Sequence, residues 1–539
     1  MFKADSILLN GKVITVEGQG EPDLYFVAVK GDEILHIGRK GEEKEFASPH
    51  TEIFDVKGGT ILPGFIDAHL HLSVMAEMAM QLDVSPEVVS SFEEIKQMVK
   101  EEGHKIPEGQ WIRAAGYDDT KLEGKPLTRR DLDEVALRHP VFITHVTTHW
   151  GVTNSLGLSM GGLHESTEDP PGGSLGRDPA SHQLNGILYE NAAFPYYFEA
   201  LSPGEVIIPP FSRQELYRGV LKVCEKYLKA GITSIHDALT TPRFFEIYQD
   251  LRNMKKLPLR VYGLVPCKFF PLFRDCGLRT RFGDKWLSLG AIKFITDGAI
   301  AGRTAYLKEP YEVTELGSGI LLLNEGETRE MILEYHEAGF QIAVHANGDR
   351  AIEIVLDGFE AALRKFPREN QRHRIEHCSL VTDEILTRMK AMNLIAVPFA
   401  SYVWHHGEKI LPFYGEARAE RIFPHKSFLN AGIRVAGSTD NPCAPYDPLL
   451  GIQSCVTRRS KDGTLLGEIQ KLTLMEALKI YTLGSAYASF EEDRKGSLKP
   501  GKLADMVVLK EDITKVSPDE IKDISISLTM VGGDVKYHA

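Results

Sequence analysis

Hydrophobic positions follow three regimes along the chain. Over residues 5–60 they alternate with polar ones in short runs, as in ILLNGKVITV and FVAVKGDEILHIG. Alternation places every second side chain on one face, the pattern of half-buried strands, and Asn10-Gly11 and Gly31-Asp32 supply hairpin turns. From Ile61 short apolar runs are separated by helical stretches, as a parallel sheet with crossover helices requires. Eight runs qualify as strands: ILPGFIDAH (61–69), GITSIHDAL (231–239), LRVYGLV (259–265), LGAIKFITDG (289–298), FQIAVHANG (340–348), RIEHCSL (374–380), LIAVPFA (394–400) and IRVAGSTDN (433–441). Between them lie helical periods such as RQELYRGVLKVCEKYLKAG and TREMILEYHEAG, the second ending at a glycine suited to a helix C-cap. The pattern predicts an α/β protein built on a TIM-like (β/α)8 barrel.

The interval from about 73 to 210 is too long for one crossover and reads as a large insertion after strand 1, expected over the barrel mouth. In the third regime, GSLKPGKLADMVVLK (496–510) returns to strand-and-turn character. It is expected to pair with the first sixty residues, so that a small β-sandwich domain is assembled from both termini. The expected boundaries are 1–60 and 489–539 for the β-sandwich domain and 61–488 for the barrel with its insertion.

With 539 residues, 43% of them hydrophobic, the chain can bury a large core in more than one structural unit. Its six cysteines show no CxxC spacing, which argues against a disulfide framework or structural zinc finger and fits a reducing cytoplasm. No basic segment followed by an apolar one begins the sequence, and no apolar run reaches the roughly 20 residues that span a bilayer. A formal charge of -13 opposes nucleic acid and anionic membranes as partners, because both require a basic footprint. A small molecule is the expected partner, and homo-oligomerisation stays open.

Candidate chemistry gathers at the strand ends. In GFIDAHLHL, His69 and His71 are separated by one residue, so a strand points both imidazoles to one side, where they can reach one ion. An HxH pair alone is weak evidence. His345 closes QIAVHANGD, His377 closes RIEHCSL and Asp440 closes RVAGSTDN, the ends at which barrel enzymes hold their chemistry. Lys293 lies inside the apolar run AIKFITDG, where an unpaired ammonium is costly to bury. Either a neighbouring carboxylate pairs it, or the amine adds CO2 and becomes a carbamate able to bridge two cations.

GFIDAHLHL, the lysine of KFITDG, HANGD, EHC, STDNP and the closing GSLKPGKLADMVVL together resemble the amidohydrolase superfamily, and within it the large-insert branch that includes N-substituted formamide deformylases. The resemblance implies a binuclear metal centre: His69, His71 and Asp440 on one ion, His345 and His377 on the other, and N6-carboxylated Lys293 between them. Some relatives keep a single metal, and some use another bridging residue. The donor set suits two divalent ions, zinc first, although iron, manganese and cobalt accept similar ligands.

Two cations about 3.5–4 Å apart can share a water, bring its pKa near neutrality and polarise a carbonyl. Asp440 is the natural acceptor of that water's proton and its donor to a leaving nitrogen. The expected activity is metal-dependent hydrolysis, by metal-activated hydroxide, of a non-peptide C–N bond (amide, formamide or cyclic amide) in a small molecule. Candidate substrate contacts are His149, Asp297, Arg303 and Asp349, with an Arg303–Asp297 ion pair as the alternative for that arginine. Cys378 is expected on the opposite face to His377, His405, His406 and His425 in loops or at the surface, and Trp111, Tyr117 and Trp150 around an apolar pocket or in a core. Two other readings compete: a ligand-sensing or regulatory protein on the same fold, and a metal-dependent esterase or deaminase. The complete ligand set disfavours the first, and ligand residues do not separate the second.

Overall fold

The computed structural model describes residues 2–18, 23–119, 122, 126–146, 148–202, 204–313 and 316–539. They form two compact units, Met1–His71 with Cys224–Ala539, and Leu72–Val223.

The first unit is built on eight parallel strands in chain order: β1 (Phe65–Leu70), β2 (Ile232–Ala238), β3 (Arg260–Pro266), β4 (Leu287–Ile295), β5 (Ile342–Ala346), β6 (Arg374–His377), β7 (Ile395–Val397) and β8 (Arg434–Val435). Every residue of β2 and β3 is buried, which explains why these strands read as continuous apolar runs. The ring closes just beyond β8. Ala68 N donates to Gly437 O at 2.9 Å, Asp440 N to His69 O at 2.8 Å and His71 N to Asn441 O at 2.9 Å. A TIM-like barrel results, and its closing seam runs through three of the residues singled out above.

Helices α1 (Arg213–Lys229), α2 (Glu325–Glu337) and α3 (Asp349–Lys365) follow their sequence signals. Asn324 caps α2 by accepting from Glu327 N at 3.0 Å, and Gly339 follows the last turn with φ 86°. In α3 the buried residues Ile352, Val355, Leu356 and Phe359 recur at helical spacing, and burying each contributes about 1.5–3 kcal/mol.

The terminal segments form two sheets. One has the order Glu33–Gly38, Phe26–Lys30, Ser6–Leu9, Glu52–Asp55. The other runs Lys12–Val13, Thr60–Pro63, Met506–Leu509, Ile526–Val531, Asp534–His538. Met506–Leu509 lies antiparallel to Thr60–Pro63, and Leu8, Val29, Ile61, Met506 and Met530 share one core. Gly31-Asp32 makes the hairpin its sequence signals. Asn10-Gly11 does not. Ser6–Leu9 is already flanked by Phe26–Lys30 and Glu52–Asp55, so Lys12–Val13 finds both neighbours taken and joins the other sheet.

A buried bidentate ion pair ties the C-terminal segment to β3. Arg260 donates from Nε and Nη2 to the two Asp505 oxygens at 2.7 and 2.8 Å, with its guanidinium 4.6 Å from the Trp286 ring centre. Asp505→Ala is expected to cost about 3–5 kcal/mol, because it leaves a buried guanidinium without counter-charge. Thermal melting measures this, and an unchanged melting temperature would contradict it.

The second unit holds a six-stranded mixed sheet in the order Gly173–Arg177, Leu184–Glu190, Trp150–Thr153, Val141–His145, Ile112–Tyr117, Leu82–Asp83. The unit as a whole ends at Val223. The first half of α1 packs on the helix Leu72–Met78: Lys222 donates to Ala79 O at 3.2 Å, and a Cβ on Gly219 would stand 2.2 Å from Ala76 O. Tyr117 and Trp150 pack on one core of this unit and Trp111 on another. No described helix of the chain is long and apolar enough to cross a membrane.

Candidate metal centre

At the C-terminal ends of the barrel strands the structure gathers His69, His71, His345, His377 and Asp440. Single donor atoms of His69, His377 and Asp440 all lie within 4.8 Å of one another. His71 Nε2 is 3.0 Å and His69 Nε2 3.4 Å from Asp440 Oδ1, and the His345 ring centre is 4.4 Å from that of His377.

Hydrogen bonds on the far side of each ring decide what faces the centre. His71 Nδ1 lies 2.7 Å from the Ala238 carbonyl, which only accepts, so Nδ1 carries the hydrogen. His69 Nδ1 contacts the Glu376 carboxylate. Burial works against an ionised Glu376, but the Arg374 guanidinium and His69 outweigh it and hold the carboxyl well below its usual range. Glu376 is therefore an acceptor, and His69 also carries its hydrogen on Nδ1. His345 Nε2 lies 3.0 Å from Gly298 O, an acceptor, and 3.1 Å from the Asn347 amide nitrogen, a donor, contacts that fit opposite tautomers. His377 Nδ1 is buried with no hydrogen-bond partner among the described residues.

Lone pairs of two imidazoles thus meet the Asp440 carboxylate at short range, and only a positive charge between them stabilises that meeting. Burial opposes protonation of His71, yet Asp440 raises its pKa above the ordinary value. A proton there satisfies one contact; a divalent cation satisfies all of them. His69, His345 and His377 are lowered, chiefly by burial, His345 to about 3, and so stay neutral, the form in which imidazole binds metal. The donor set fits a divalent cation.

Lys293 is 2% exposed, with no carboxylate at ion-pair distance among the described residues. Burial lowers its pKa to about 8 against the pull of Glu376 and Asp440, which makes the uncharged amine accessible. Of the two compensations open at the level of sequence, the direct carboxylate pair does not form.

The other sequence candidates are dispersed. Asp297 is fully buried, accepts from the backbone N–H groups of Asn347, Gly348 and Tyr306 at 2.9 Å each, and is raised to about 7 by burial. It anchors the turn after β5, where a Cβ on Gly348 would stand 2.0 Å from Tyr306 O. Asp349 opens α3 and accepts from Lys308 N at 2.9 Å. Arg303 is exposed with its guanidinium 4.7 Å from the Phe413 ring centre, and it makes no ion pair with Asp297. His149 belongs to the Leu72–Val223 unit, exposed, with Nδ1 2.9 Å from Glu190. Cys378 is buried, its sulfur 3.8 Å from Met389 Sδ. His425 is 1% exposed and bonded to Phe423 O, a core residue rather than a surface one, while His405 and His406 are half-buried on Tyr402–His406.

Residues missed in the sequence are Glu376, Arg374 and Asp67. Asp67, raised to about 7 by burial, accepts from His69 N at 3.0 Å and from both the hydroxyl and the N–H of Thr439, stitching the barrel seam. A buried acid two positions before His69 was the available signal.

A closed ring of parallel strands, with cation donors at the strand ends, is the architecture of a barrel metalloenzyme. The chain belongs to the amidohydrolase family, whose model matches residues 52–537. It is 29% identical to the N-substituted formamide deformylase of Arthrobacter pascens over 99% of this chain and 98% of that one. It is 30% identical to amidohydrolase YtcJ of Bacillus subtilis over 92% of each. Among solved structures it resembles an uncharacterised metal-dependent hydrolase of Pyrococcus horikoshii, with TM-score 0.77 and 25% identity, covering 95% of this chain and 99% of that one.

Proposed function

We propose that this protein hydrolyses a non-peptide C–N bond of a small molecule, with N-substituted formamides and related amides as the first substrate class. The observation that carries this reading is the convergence of His69 Nε2, His71 Nε2 and Asp440 Oδ1, a donor set that needs a cation. The formamide class is suggested by the relative in Arthrobacter pascens, similar over nearly its whole length.

His69, His71 and Asp440, with His345 and His377, would hold two divalent ions, zinc first, and carboxylated Lys293 would bridge them. When bound, such ions lower the pKa of a water and polarise a carbonyl. Asp440, beside the two imidazoles, takes the proton from the attacking water and returns it to the leaving nitrogen. Exposed Arg303 is available to an anionic substituent of the substrate, whereas Asp297 and Asp349 act by holding the loops after β4 and β5.

Incubating zinc-loaded protein with N-substituted formamides, N-acyl amines, cyclic amides and esters tests the reading. Turnover of at least one of the first three classes is expected, and turnover of esters alone would replace the C–N assignment. In 13C-bicarbonate the wild type should show a carbamate carbon resonance that Lys293→Gln lacks. Identical spectra would remove the carbamate from the proposal.

A further inference from the structure

Behind His69 the barrel interior holds a hydrogen-bonded chain of charged groups that the hydrolytic scheme does not use. Arg374 and Glu376, both on β6, are fully buried. Arg374 donates from Nε and Nη2 to the two Glu376 oxygens, from Nη2 also to Ala68 O on β1, and from Nη1 to His236 Nδ1 on β2 at 2.9 Å. Glu376 in turn contacts His69 Nδ1. One guanidinium thus ties β6 to β1 and β2, and its carboxylate partner meets the back of one imidazole.

Apolar residues of similar volume are often as stable as a buried arginine–glutamate pair, so barrel stability alone does not call for one. What an apolar replacement cannot do is select a histidine tautomer. An ionised carboxylate accepts and never donates, so it fixes hydrogen on Nδ1 of His69 and turns the lone pair of Nε2 toward Asp440, 3.4 Å away. Removal of such an outer partner typically weakens metal binding about 10–100-fold.

We propose that Glu376 is a positioning residue, held in place by the bidentate Arg374 guanidinium, that sets the tautomer and ring orientation of His69 for metal binding. The proposal rests on the reading of His69 as a ligand. Glu376→Gln keeps the volume, but its amide nitrogen can donate to Nδ1 and so permits the opposite tautomer, with a hydrogen on Nε2 where the cation belongs.

The test is Zn2+ affinity by chelator competition, read beside the melting temperature of the metal-free protein. Glu376→Gln is expected to weaken Zn2+ binding about 10–100-fold and, because it leaves the buried Arg374 without counter-charge, to lower metal-free melting as well. The double variant Arg374→Met/Glu376→Leu, which leaves no orphan charge, is expected to show the loss of affinity with little change in metal-free melting, a split that a purely structural role would not produce. Unchanged affinity would overturn the proposal. Should Glu376→Gln not fold, the double variant decides alone. His69→Ala separates the premises: full Zn2+ affinity in that variant would sink the ligand reading itself, whereas loss there with an unaffected Glu376→Gln would sink only the positioning role.

Discussion

Asp440→Asn is expected to lower kcat by about 10²–10⁴-fold, the range a single general acid–base contributes. The amide keeps an oxygen toward His69 and His71 but cannot accept and return a proton. The Asp440 carboxyl, although buried, is held below the ordinary carboxylate value by His71 and His69, so the wild-type group is ready to accept. The diagnostic combination is retained metal, measured by elemental analysis, with lost turnover. An Asn variant with wild-type kcat would remove Asp440 from proton transfer.

Metal removal is expected to act on both activity and stability. Without a cation, the bare nitrogens of His69 and His71 face the Asp440 carboxylate at 3.4 and 3.0 Å, and a proton on His71 answers only part of that repulsion. A cation that binds the folded chain alone, present at about 100–1,000 times its dissociation constant, adds about 2.7–4.1 kcal/mol. Dialysis against a chelator should therefore abolish hydrolysis and depress the melting temperature, and Zn2+ should restore both. Full activity in chelated protein would take the cation out of the chemistry.

The barrel was legible because strands such as β2 and β3 are buried along their whole length, so apolar runs such as ITSIHDA and RVYGLVP stand out. Legible too were the imidazoles and the carboxylate that converge, since all five lie at strand ends. Glu376 was not, and the reason is local geometry. Strict alternation sends Glu376 and His377 to opposite faces, yet both reach His69, through a ring contact of 4.9 Å in the case of His377. His377 has φ 68°, outside the extended region, so the strand ends by rotating that side chain toward the same centre as its neighbour. Periodicity cannot foresee a sign change in one torsion. Arg303 shows the same limit: its sequence neighbour Asp297 spends its carboxylate on three backbone N–H groups, which no charge pattern announces. Asn10-Gly11 carries a sound turn signal, but strand pairing is settled by which edges remain free, a property of the assembled sheet.

The seam joining β1 to the segment after β8 has a consequence during synthesis. Asp440 stands 369 positions after His71. At about 5–20 residues per second, the ribosome adds that stretch in roughly 20–75 s, during which His69 and His71 have emerged without the chain that closes the ring. A translation product stopped before Gly437 lacks the closing hydrogen bonds and the carboxylate together. On the proposed ligation, cation capture through His69, His71 and Asp440 waits for the chain to reach position 440, and the joining of the first strand to the last waits with it.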